Sequence, residues 1–144
     1  MAQRHDPRSL DEYLQIALSV ADDDPFVIDH NLNIEISPEG GRISGEMFCH
    51  GDIVVDVDKY FKIATVTGEK FAHTVKYSYH ARYQGGASIL RYDNAKHHDA
   101  HPTPHHKHNF TKGLDELTHV GDDWPLLSDV LDELREMVWL EEKD

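Results

Sequence analysis

The sequence predicts a single α+β domain: an antiparallel meander sheet of five to six strands with an N-terminal and a C-terminal packing helix. Three observations predict it. Apolar residues recur at helical spacing only near the ends, over residues 10–21 and 125–140. Between those stretches they alternate with polar residues, as half-buried strands require. The alternating runs are also joined by turns too short for the crossover that parallel strands need. With 144 residues, 39% of them hydrophobic, the chain suits one core, and residues 1–144 are read as one domain.

Each element has its own signal. Ser9-Leu10-Asp11-Glu12 forms a capping box, with Glu12 placed to reach back to the amide of the cap. Leu10, Tyr13, Leu14, Ala17, Leu18 and Ala21 then form one stripe, which Asp22-Asp23-Asp24-Pro25 ends. The three aspartates point in different directions and read as a solvated turn, not a metal site. From Phe26 to Ile36 the period is two, predicting a first strand. Pro38-Glu39-Gly40-Gly41 turns the chain into a strand from Arg42 to Phe48, and His50-Gly51-Asp52 turns it into another from Ile53 to Phe61. Thr67-Gly68-Glu69 precedes a long run from Phe71 to Tyr83, and Gln84-Gly85-Gly86 closes a hairpin onto Ser88–Tyr92. In the long strand Val75, Tyr77, Tyr79, Ala81 and Tyr83 share one face, while Lys76, Ser78, His80 and Arg82 share the other. Trp124-Pro125 opens the second helix, whose stripe is Leu126, Leu127, Val130, Leu131, Leu134, Met137 and Val138.

Composition removes several function classes. No apolar run approaches the roughly 20 residues that span a bilayer, and the first residues lack signal-peptide order, so a cytoplasmic protein without membrane contact is expected. Cys49 is the single cysteine, which rules out an intrachain disulfide, and its apolar neighbours predict an inert thiol. There is no P-loop and no G-x-S-x-G nucleophile elbow. A net charge of −13 argues against a nucleic-acid binder until its distribution is considered. Residues 59–112 carry nine basic and three acidic residues, a local +6 that leaves −19 for the rest. A basic middle between acidic ends focuses anionic ligands onto the centre, and acidic ends also fit a high-salt cytoplasm of the kind a halophile keeps.

The chemistry concentrates in Arg91-Tyr92-Asp93-Asn94-Ala95-Lys96-His97-His98 and in Pro102-Thr103-Pro104-His105-His106-Lys107-His108, a stretch read as a His-rich loop. Together with the residues between them they hold six of the twelve histidines. Imidazole titrates near pH ~6.5, so one ring can take a proton while another gives one. That equips the loop for RNA cleavage: a base for the 2′-hydroxyl, an acid for the leaving 5′ oxygen, and cations for the charge that grows on phosphorus. His98 and His106 are assigned as the acid–base pair, with His97 and His105 as substitutes, because neighbours in an extended chain point to opposite sides. Arg91 and Lys107 stabilise the phosphorane and Asp93 orients a ring. Arg82, His80, Tyr92 and Lys96 bind the substrate. No cofactor is needed for this chemistry. The alternative is a hydrolase or structural staple in which Asp93, His98, His106 and His108 hold Zn²⁺ or Mn²⁺. A further alternative is a protein-binding module whose basic face takes an acidic partner.

Tyr77-Ser78-Tyr79-His80, Ile89-Leu90-Arg91-Tyr92-Asp93-Asn94-Ala95 with His97-His98, and Pro104-His105-His106-Lys107-His108 resemble the TumE-type toxins of prokaryotic type II toxin-antitoxin systems. Gly51-Asp52-Ile53-Val54-Val55-Asp56-Val57 resembles that family's strand after a tight turn, and the likeness spans about residues 42–108. Lys96 departs from the pattern, standing where the family often has proline, which loosens the loop. The resemblance implies a growth-inhibiting toxin acting on RNA, neutralised by a helix-turn-helix antitoxin from the adjacent gene.

Overall fold

A computed structural model describes residues 8–94, 105–110, 116–119 and 125–143. The architecture is α+β, an open antiparallel sheet with one helix from each end of the chain, as the periodicities predict. In chain order the elements are β1 (Arg8–Ser9), α1 (Leu10–Asp23), β2 (Val27–His30), β3 (Asn33–Ser37), β4 (Gly40–Cys49), β5 (Ile53–Val66), β6 (Glu69–Tyr83), β7 (Ser88–Asp93), β8 (His106–Asn109), β9 (Glu116–His119) and α2 (Leu127–Lys143). From β4 to β9 each strand pairs with the next, so the sheet is a meander. β2 and β3 lie end to end on the outer edge of β4. β1 and β7 share the edge of β6 that β5 does not occupy.

The sheet has more strands than the five to six expected: β1 and β9 add to it at its margins, and two local changes add the rest. The Phe26–Ile36 run breaks into β2 and β3 at Asn31. There the Asn31 amide donates to the Glu46 carbonyl at 3.0 Å, and the Asn31 side-chain oxygen accepts from the Glu46 amide at 2.6 Å. Gly45 makes room for this kink. Its φ is +144°, and a Cβ there would stand 2.7 Å from Asn31 Oδ1, so only glycine fits without strain. The second change is β8, which forms inside the stretch expected to be a loop. It carries no aliphatic residue, so period-2 hydrophobicity cannot reveal it.

Both helices start at polar caps. Ser9 Oγ accepts the Glu12 amide at 3.2 Å, while the Glu12 carboxylate accepts from Arg8 Nη1 at 2.8 Å. At α2 the Asp129 carboxylate accepts from the Leu126 amide at 2.9 Å, which sets the helix start just after Pro125. α2 lays Val130, Leu131 and Leu134, all fully buried, on the sheet face that carries Met47, Val55, Val57, Tyr77, Tyr79 and Ala81. Tyr13 of α1 builds a second cluster with Ile43, Phe61 and Ala72. Arg135 of α2 bridges to Asp24, tying the end of α1 to α2. No helix among the described residues is long and apolar enough to cross a membrane.

Directly opposed residues on neighbouring strands point to one face, so register sorts the central side chains. Gly45, Val57, Tyr79, Tyr92 and Lys107 form a rank on the helix-covered face. Glu46, Asp56, His80, Arg91 and His108 form a rank on the other face, which neither helix covers, beside Asp58, Ser78, Asp93 and His106.

Candidate active site on the face of β7 and β8 opposite the helices

Asp93 is the hub. Arg91, two residues earlier on the same face of β7, donates from Nε to Asp93 Oδ2 at 2.9 Å. β8 brings two imidazoles to the same carboxylate: His106 Nδ1 lies 3.7 Å from Oδ1 and His108 Nε2 lies 3.6 Å from Oδ2. Asp93, His106 and His108 are all buried, whereas the Arg91 side chain keeps 32% of its surface. At 3.6–3.7 Å the carboxylate is beyond hydrogen-bond distance of both rings, yet close enough for its charge to balance a proton carried by either.

His80 extends the cluster across β6. It sits opposite Arg91, with Nε2 2.9 Å from Ser88 Oγ and Nδ1 3.8 Å from Asp56 Oδ2. Burial lowers its pKa, Asp56 opposes that shift, and Arg91 and Arg82 add to it, so His80 is neutral at pH 7. Phe110 stands beside the same rank, with ring centroids 6.2 Å from both His80 and His108.

Arg82 has a different environment. Its Nε donates to Asp56 at 2.9 Å and its Nη2 to Glu46 at 2.8 Å. Those two carboxylates, from β5 and β4, satisfy its charge in place and raise its pKa, the Asp56 hydrogen bond most of all. It braces three strands.

The register also separates residues that the sequence groups together. Lys107 and Tyr92 lie on the helix-covered face, across the sheet from Arg91, Asp93 and His106. There Lys107 pairs with Glu133 of α2, and the Tyr92 hydroxyl donates to the same carboxylate at 2.6 Å. Burial and then Glu133 raise the Tyr92 pKa. His105, buried on this side, has Nδ1 2.8 Å from the Tyr77 hydroxyl, with the two rings stacked at 5.7 Å. His105 and Lys107 therefore anchor β8 from one side while His106 and His108 face Asp93 on the other. Lys96, His97 and His98 lie outside the described residues.

Of the alternative metal ligands, Asp93, His106 and His108 do come together, and His98 is outside the described residues. Among the described residues no group of three or more His, Cys, Asp or Glu is arranged to hold a metal ion. Cys49 is buried, and burial pushes its thiol up to about 12, so it stays a thiol at neutral pH. Sequence reasoning gave His108 only a metal-ligand role and overlooked Ser88, Asp56 and Phe110. The signal for His108 is its parity with His106, which counts only once this segment is known to be a strand.

No curated protein and no solved structure matches the chain. One family model does, described as toxin TumE, and it matches residues 17–138. That span begins in α1, takes in every strand from β2 to β9 and ends in α2, so every strand of the sheet but β1 lies within it, those that carry Asp93, His106 and His108 included. The chain belongs to the TumE toxin family.

Proposed function

We propose that this toxin is a metal-independent ribonuclease acting in the cytoplasm, and that the face of β7 and β8 opposite the helices is its active site. The observation that carries the reading is the buried Asp93 carboxylate with His106, His108 and Arg91 around it. In the proposed reaction one imidazole takes the 2′-hydroxyl proton as the 2′ oxygen bonds to phosphorus. The P–O5′ bond breaks, and an imidazolium gives its proton to the leaving oxygen. The products are a 2′,3′-cyclic phosphate and a 5′-hydroxyl end. Arg91 stabilises the charge on the non-bridging oxygens. His106 keeps the role that the sequence gives it, and its partner is His108, which shares the Asp93 carboxylate; His98 and His97 are the other candidates. Family membership implies an antitoxin partner, and we assign that partner as a helix-turn-helix protein encoded next to the toxin.

The test is purified toxin with RNA in the presence of a chelator. Cleavage should persist and leave 2′,3′-cyclic phosphate ends. Cleavage abolished by chelation would transfer the site to the Zn²⁺ or Mn²⁺ hydrolase reading, and no cleavage of any RNA would leave a toxin of another chemistry.

RNA binding should divide the two arginines. Arg91→Ala should weaken binding and lower the slope of log affinity against log salt by about 0.7, the share of a single neutralised phosphate on a single strand. Arg82→Ala should leave that slope unchanged and lower stability instead, since Asp56 and Glu46 would face each other uncompensated. Equal salt slopes for the wild type and Arg91→Ala would remove Arg91 from the phosphate site.

A further inference from the structure

Lys59 stands on the wrong face for a lysine. β5 alternates so that Val55, Val57 and Lys59 all point to the helix-covered side, and Lys59 lies between Ile43 of β4 and Tyr77 of β6. Its Nζ sits 5.0 Å from the centre of the Tyr13 ring, and among the described residues it forms no ion pair with any carboxylate. Part of the side chain still meets solvent. That surface belongs to a cleft between α1 and α2, lined by Ile16 and Val20 of α1, Ile43 and Val57 of the sheet, and Leu127 and Ser128 of α2, among others.

Lys59 is the one charged group among the described residues that line this cleft, and none of those residues is acidic. Burial alone lowers the Lys59 pKa to about 8, so at neutral pH most molecules carry an ammonium here, with no counter-charge among the described residues. Leu127 and Ser128 lie in the first turn of α2, where amides lack helical acceptors and the helix dipole is positive. The nearby Asp129 carboxylate is committed to the Leu126 amide. An anion with an apolar body meets both requirements, charge for Lys59 and hydrocarbon for the walls. The cleft holds about 460 Å³ when the part open to solvent is counted.

We propose that the cleft between α1 and α2 is a binding site for a small aliphatic monocarboxylate, its carboxylate on Lys59 Nζ and its chain against Ile16, Val20, Ile43 and Leu127. The site lies on the opposite side of the sheet from Asp93 and does not depend on the ribonuclease reading.

The experiment titrates the full chain with octanoate, with octanol and octylamine as controls, by calorimetry and by NMR of the Lys59 side chain. Octanoate should bind at one saturable site and move the Lys59 titration back toward the ordinary lysine range. Lys59→Met keeps the unbranched stem without the charge, and should weaken octanoate by about 10–100-fold, the worth of a charge-assisted hydrogen bond. Octanol binding as tightly as octanoate, or Lys59→Met keeping full octanoate affinity, would overturn the proposal. If Lys59→Met fails to fold, the wild-type NMR decides: Lys59 signals unmoved by saturating octanoate would overturn it equally.

Discussion

Replacing His106 or His108 by alanine should lower RNA cleavage by about 10²–10⁴, the usual contribution of a positioned acid or base. Antitoxin binding and the circular dichroism spectrum should stay unchanged, which separates chemistry from folding. Since one imidazole must be neutral while the other is charged, the wild-type rate should be bell-shaped between about pH 5 and 8, and each single variant should lose one limb. His105→Ala supplies the contrast. It removes the 2.8 Å hydrogen bond with Tyr77 on the covered face, so its main cost should be stability. Should His108→Ala keep full activity while His98→Ala or His97→Ala loses it, the partner of His106 lies in the segment before β8. Growth arrest by a variant lacking His97, His98, His105 and His106 would end the histidine mechanism for His106.

Lys59→Met should make the protein more stable at neutral pH, a large gain from removing one charge. Lys59 titrates near 8 when folded, against about 10.5 for the ordinary side chain. Folding therefore penalises the ammonium at every pH below the folded value, and the penalty fades as pH rises from about 8 to about 10.5. At about 1.36 kcal/mol per pK unit, discounted for the part of Lys59 that meets solvent, the gain at pH 7 should be about 1–3 kcal/mol. Among the described residues, those that face Lys59 are Tyr13 and Ile16 from α1, Ile43 and Tyr77 from the sheet, and Leu126 to Ser128 from α2, none of them charged at pH 7. Urea melts of both proteins at pH 7 and pH 10 measure the difference. A gain of equal size at both would show that packing, not charge, is responsible.

Periodicity made the fold legible because each element obeys one period over a long stretch. α1 and α2 fall within a few residues of their apolar stripes, and the hairpins from β4 to β7 turn at the glycine-bearing sites that mark them. β8 was not legible, since His106-Lys107-His108-Asn109 alternates in partners and not in hydrophobicity. Once it is known to be a strand, its parity separates Lys107 from Arg91. Arg82 illustrates a second barrier. Its partners Asp56 and Glu46 come from one and two strands away, and pairing register depends on turn geometry that a single sequence does not reveal. Lys59 was readable, because it continues the parity of Val55 and Val57, but a lysine in a strand is ordinarily assumed to face water.

The two-sided anchoring of β8 bears on how such a toxin is lost. Tyr77, Tyr92 and Glu133 lie on the other face from the proposed acid and base, His106 and His108, yet they hold the strand that presents them. A lineage escaping its own toxin has more targets than the histidines: any lesion that frees β8 from α2 or from Tyr77 disarms the opposite face. Survivors of antitoxin loss would then carry inactivating mutations scattered over the interior, and a damaged copy could persist in a genome with every residue around Asp93 intact.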